Sequence, residues 1–136
     1  MLDYPENWYK EYVVRSDPVL RKYYRIINKK FFNGELPNNV CCRYVSEEDE
    51  DEEEGCEERY YGWAAEGDNR HKYAIVISRI KNPGMVAKLA TLAHEMIHCA
   101  LNLRDDHGKA FSDWHETLTS RGLFRKSAVL RGLTLF

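Results

Sequence analysis

His94-Glu95-Met96-Ile97-His98 sets two imidazoles four positions apart, with a carboxylate beside the first. On an α-helix, side chains at i and i+4 stand about 5–6 Å apart at Cβ, so both rings can reach one zinc ion at about 2.0–2.1 Å. Glu95 lies one position round from His94. It is poorly placed to share that ligand geometry and well placed to take a proton from a metal-bound water. A catalytic zinc also needs a third protein ligand and an open position for the water. His107 is the first candidate. Five further helical residues carry the chain about 7.5 Å beyond His98 to Leu103. Residues 104 to 107 span up to about 13 Å when extended, enough to fold His107 back. Asp105, Asp106 and Gly108 suit such a turn.

These side chains need a rigid support. Residues 85 to 103 read as a helix in which Lys88, Thr91, His94, Glu95, His98 and Asn102 fall in a wedge roughly 120° wide. Leu89, Leu92, Ala93, Met96, Ile97 and Cys99 are among the apolar residues on the remaining circumference. Such a helix is buried, so its polar wedge either opens onto a cleft or is satisfied internally. In the plainer alternative, His94 and His98 are hydrogen-bonded core histidines and Glu95 is a solvated charge.

Around it, Ser16-Asp17-Pro18 starts a helix, with apolar residues from Val19 to Phe31 at helical spacing and Gly34 and Pro37 ending it. A short helix over 5–14 precedes it. Val40 to Val45 reads as a strand, followed by a second from about Arg59 to Ala65. The turn signal Gly67-Asp68-Asn69 joins the latter to a β-branched run from Tyr73 to Ile80, predicting a hairpin. Asn82-Pro83-Gly84 breaks that strand. A last helix runs from about Lys109 to Arg121 and is closed by Gly122. The expected class is α+β: a helix, a three-stranded mainly antiparallel sheet, the helix bearing the histidines, and a C-terminal helix.

The 136 residues suffice for one domain, spanning 1–136. A composition of 43% hydrophobic, 12% aromatic and 31% charged residues places the chain among globular proteins rather than disordered or fibrous ones. No apolar run is long enough to span a bilayer, and the acids Asp3, Glu6 and Glu11 argue against an export signal. Four cysteines without a CxxC pair fit reduced thiols, so an intracellular location is expected: cytoplasmic, or nuclear in a eukaryote. The formal charge of −2 conceals a strong asymmetry. Residues 47–58 hold ten carboxylates and no base, leaving 12 acids against 20 Lys and Arg elsewhere, a charge of +8. The acidic run reads as a solvated surface loop; the alternative is that it shields, or competes for, a basic surface able to attract nucleic acid. The C-terminal segment 123–136 is basic through Arg125, Lys126 and Arg131.

His94-Glu95-Met96-Ile97-His98 followed by His107-Gly108-Lys109-Ala110-Phe111 resembles the HExxH…HGxxF pattern of SprT-like domains, the Spartan-type zinc metallopeptidases. Asn28 to Pro37, Tyr61-Gly62-Trp63 and Ile75 to Ser78 are similar as well, so the resemblance covers about residues 16 to 122. The cysteine-rich zinc ribbon that many relatives carry has no counterpart in CxxC pairs here. The resemblance implies a compact zincin fold, one Zn²⁺ per chain on His94, His98 and His107, and Glu95 as general base. It also implies peptide-bond hydrolysis, in the best-known members directed at proteins trapped on DNA. In another zincin group a downstream glutamate is the third ligand, which makes Glu116 the rival of His107; the HGxxF context favours His107.

Other residues are expected to be structural. His115 shares a face with Phe111 and Leu118 and reads as a packed histidine. Phe111, Trp114 and Leu118 read as the stripe packing the last helix on the histidine helix. Trp63 and Tyr61 read as half-buried sheet aromatics, and His71 as an exposed turn residue. The chain is read as a monomer without membrane contact. Its expected partners are a protein or peptide substrate and, through the basic surface, DNA; a DNA-associated binding module with a structural zinc is the competing function.

Overall fold

A computed structural model describes residues 16–45, 61–104 and 107–123. The expected helix over 5–14, the acidic run 47–58, the turn residues Asp105 and Asp106 and the basic segment from residue 124 lie outside them.

Helix α1 (Pro18–Phe31) starts where the sequence says it should. The Asp17 carboxylate accepts hydrogen bonds from the Val19 and Leu20 amides at 2.9 and 3.1 Å. Pro18 occupies the first turn, where a missing N–H is harmless. The inner face buries Leu20, Tyr24, Ile27 and Phe31. Asn28, also buried, ties down the chain that follows: its side-chain amide donates to the Leu36 carbonyl at 3.0 Å and accepts from the Leu36 amide at 3.1 Å.

Strands β1 (Val40–Tyr44), β2 (Gly62–Glu66) and β3 (Tyr73–Ile77) form one sheet in the order β1-β3-β2. The expected hairpin is present, β2 pairing antiparallel with β3 from Gly62 opposite Ile77 to Glu66 opposite Tyr73. The expectation of a mainly antiparallel sheet is corrected: β1 runs parallel to β3, so the sheet is mixed. The strand order follows from β3, whose five residues are all buried. Tyr-Ala-Ile-Val-Ile is an unbroken apolar run, the pattern of a strand covered on both faces and therefore central. With β3 in the middle, β1 takes the far side and does not pair with its sequence neighbour β2. The outer edge of β1 is partly covered, since the Asp17 amide donates to the Cys42 carbonyl at 2.7 Å and the Cys42 amide to the Ser16 hydroxyl at 3.0 Å.

Helix α2 (Met85–Ala100) packs against β2, β3, α1 and the last helix, α3 (Lys109–Ser120). Helix and sheet approach one another tightly at Gly62. A Cβ there would lie 2.7 Å from the Val76 carbonyl oxygen and 3.1 Å from Thr91 Cγ2, so only glycine fits. Ile27, Phe32, Ile75, Leu92, Met96 and Leu118 are fully buried and join all layers into one core. Cys41, Cys42 and Cys99 are buried and form no disulfide among the described residues. The fold is α+β, and among the described residues no helix is long and apolar enough to cross a membrane.

Candidate metal centre

The polar wedge of α2 divides in two. Its N-terminal half is satisfied internally around Asn82, which is buried. The Asn82 side-chain amide donates to the Tyr61 carbonyl at 2.8 Å and the Ser78 carbonyl at 2.7 Å. Its side-chain oxygen accepts from the Thr91 hydroxyl at 2.5 Å, and the Lys88 ammonium donates to its main-chain carbonyl at 2.8 Å. The C-terminal half carries His94, Glu95 and His98 and is closed in a different way.

Helix α2 ends at Ala100, three residues short of the expected Leu103. The Leu103 amide donates to the His98 carbonyl at 2.8 Å and the Asn102 amide to the Cys99 carbonyl at 3.0 Å. These are the two bonds of a Schellman turn, with Asn102 in the left-handed position usually held by glycine. Asn102, Leu103 and His107 all have positive φ, at 55°, 60° and 61°. That region costs a side-chain-bearing residue roughly 1 kcal/mol or more, and such strain concentrates at functional sites. The sharp reversal carries the chain back over the wedge. Asn102, the last wedge residue, accepts a hydrogen bond from the Tyr73 hydroxyl at 2.8 Å, tying the turn to the sheet.

The reversal brings His107 onto the other two histidines. Its Nε2 lies 3.1 Å from His98 Nε2 and 3.2 Å from His94 Nε2. Two ligands about 2.0–2.1 Å from one tetrahedral ion stand about 3.3 Å apart, so these separations fit a single ion. His94, His98 and His107 lie close enough to bind a metal, all three donor atoms falling within 4.8 Å of one another. Three imidazoles suit a first-row transition ion and are a poor set for magnesium or calcium, which take oxygen. The Phe111 ring forms the floor of the site, with its centroid 4.8, 4.7 and 4.7 Å from those of His94, His98 and His107. Phe111 is expected both as packing and as the last residue of the HGxxF pattern. The structure adds that it braces all three rings, a role visible in the sequence only as the fixed distance between His107 and Phe111.

The electrostatics favour an electron-pair donor at His94 and a proton-holding group beside it. Burial, followed by the neighbouring His98, His107 and His115 rings, lowers His94 to about 4, which keeps its imidazole neutral at neutral pH. Glu95 is only 6% exposed, and burial pushes its carboxyl up to about 7. A Glu95 carboxylate oxygen stands 4.0 Å from His94 Nε2, adjacent to the cluster and outside the ring of three nitrogens.

The remaining candidates separate. Glu116, the rival ligand, does not join the cluster; it lies on the exposed flank of α3. The reading of His115 as a packed histidine is corrected: it is exposed, its ring stacked on Phe111 at 6.4 Å. Leu118 is buried and Trp114 half-buried, the latter 5.1 Å from Phe32. The buried arc of α3 therefore centres on the side away from His115. Trp63 is half-buried and Tyr61 exposed. His71 is held in its turn, with its Nδ1 3.2 Å from an Asp68 carboxylate oxygen and its amide bonded to the same oxygen. A turn over 121–123 closes α3, as expected at Gly122, where φ is 93° and the Leu123 amide reaches the Leu118 carbonyl at 3.0 Å.

No family model matches this chain, and no curated protein or solved structure matches it.

Proposed function

We propose that this protein is a zinc-dependent endopeptidase of the SprT-like, zincin type. The observation that carries the proposal is the meeting of three imidazole nitrogens at 3.1–3.2 Å beside a buried glutamate that is not one of them. His94, His98 and His107 would hold the zinc. When bound, zinc in a three-histidine site supplies an acidified water and a Lewis acid for the scissile carbonyl. Glu95 acts as the general base: its carboxylate takes the proton of the attacking water and passes it to the leaving amine. A carboxyl raised to about 7 by burial is suited to both halves of that exchange near neutral pH. Phe111 holds the imidazoles in one arrangement, and its apolar floor keeps water from the far side of the site.

The test compares zinc-loaded wild type with Glu95→Gln on unfolded casein. The variant should retain the metal and lose cleavage; full activity would end this mechanism. Metal analysis of His107→Ala beside Glu116→Ala should show zinc lost in the first and kept in the second.

One feature supports DNA association as a second reading. Helix α1 carries Arg21, Lys22, Arg25, Lys29 and Lys30 and no acid, and Lys22, Arg25 and Lys29 lie exposed along one face. DNA binding that falls steeply with salt, without cleavage of any protein, would favour a binding module with a structural zinc.

A further inference from the structure

Helix α3 places two functional groups beside the histidine cluster that hydrolysis does not use, His115 and Glu116. Both line a groove of about 720 Å³ that runs from His107 past Phe111 to Ser120. That volume lies within the range of a ligand pocket. Because His107 lines the groove, an occupant lies beside the histidine cluster. Its walls are of two kinds. The exposed His115 ring lies 6.4 Å from the nearly buried Phe111 with 24° between their planes, and the two form an aromatic wall in which His115 is the accessible part. Beyond them Glu116 is the one carboxylate among the described lining residues, flanked by the hydroxyls of Ser112, Thr119 and Ser120. Asp113, the other acid of α3, is engaged by Lys109 at 3.2 Å and does not line the groove.

We infer that this groove is a substrate subsite selecting a lysine or arginine side chain beside the scissile bond, with the Phe111–His115 wall taking its stem and Glu116 its charge. The inference rests on the peptidase reading. Long cationic side chains lay their apolar stems on such surfaces while the head stays polar, and guanidinium groups stack on aromatic faces. Glu116 stands five residues beyond Phe111, about 7.5 Å along the helix axis, a distance suited to a long side chain. A glutamate side chain in the same place would meet like charge, and a glutamine would forgo the ion pair.

The experiment uses zinc-loaded Glu95→Gln protein, which does not consume its ligand, and fluorescein-labelled decapeptides of Gly, Ala and Ser. Each carries a single Lys, Arg, Gln or Glu, moved along the series. Binding is read by fluorescence anisotropy. Lys and Arg peptides should bind about fivefold more tightly than the matched Gln peptide, the range of a partly exposed ion pair, with the Glu peptide weakest. Adding Glu116→Gln should erase the difference, Glu116→Lys should invert it, and about 0.5 M salt should flatten it. Equal affinity for Lys and Gln peptides, or a preference that survives Glu116→Gln, overturns the subsite. Casein cleavage by the wild type, run in parallel, separates the two claims. Cleavage without charge preference removes the subsite alone, whereas charge preference without cleavage upholds the groove and removes the peptidase.

Discussion

Along α2, Lys88 and Thr91 share a polar strip with His94 and His98, roughly one turn apart, yet the two halves of the strip are completed by different parts of the chain. The first half is closed by Asn82, whose side chain is bonded on every side to Tyr61, Ser78 and Thr91. It is a structural clamp joining the β3–α2 connection to the start of β2. The second half is met by His107, whose Nε2 stands 3.1 Å from His98 Nε2 and 3.2 Å from His94 Nε2. Three imidazole nitrogens converging on one point can be satisfied together by a cation. Polarity on a buried helix therefore does not distinguish a clamp from a metal site. The group that the next segment lays over it does.

That contrast can be broken first at His107. His107→Ala should abolish stoichiometric zinc, weakening binding by well over the roughly 100-fold lost when a group that merely orients a ligand is removed. Metal analysis after dialysis measures it, and retention of a full equivalent would show that the turn is not part of the centre.

The next largest effect concerns Glu95 and pH. Its folded value of about 7 stands above the ordinary value of 4.5 because burial penalises the charge. A raised carboxyl contributes stability that is fully present below pH 4.5 and is lost as pH rises through 7. In EDTA-treated protein, Glu95→Gln should match wild type near pH 4 and exceed it above pH 8 by on the order of 3 kcal/mol. Denaturant titrations at the two pH values measure the gap; equal stability of the two proteins at pH 8 would show that the buried charge carries no such penalty.

Removal of the clamp should act on stability alone. Asn82→Ala leaves the Thr91 hydroxyl and two carbonyls without their partner and should cost about 2–3 kcal/mol. Zinc content should remain at one equivalent, which sharpens the division of the strip into two parts. Thr91→Val deletes a single bond from the same clamp and should cost about 1 kcal/mol, again without effect on metal. Loss of zinc in either variant would mean that the halves are coupled.

Much of this architecture was legible in local signals. Asp17-Pro18 marked the start of α1, the Gly67–Asn69 turn marked the hairpin, and Gly122 marked the end of α3, each because a backbone requirement selects a particular residue type. Two errors share one cause. The three strands are expected as a mainly antiparallel sheet, whereas β3, buried on both faces, is central and β1 runs parallel to it. His115 was assigned to the core by helical spacing, but spacing gives an angle and not the direction of the neighbouring layer. The end of α2 was also placed late, because Asn102 and Leu103 adopt left-handed geometry without a glycine to announce it.

From the one-dimensional pattern came the donor atoms themselves: a histidine pair one helical turn apart, a glutamate beside it and a third histidine within reach. Helical periodicity is a property of the backbone and needs no fold to establish it. Which reaching group arrives, His107 rather than Glu116, was decided only when the Schellman turn and the floor provided by Phe111 fixed the path of the return. The same packing left His115 and Glu116 exposed along a groove, because the core takes the Phe111, Trp114 and Leu118 side of α3.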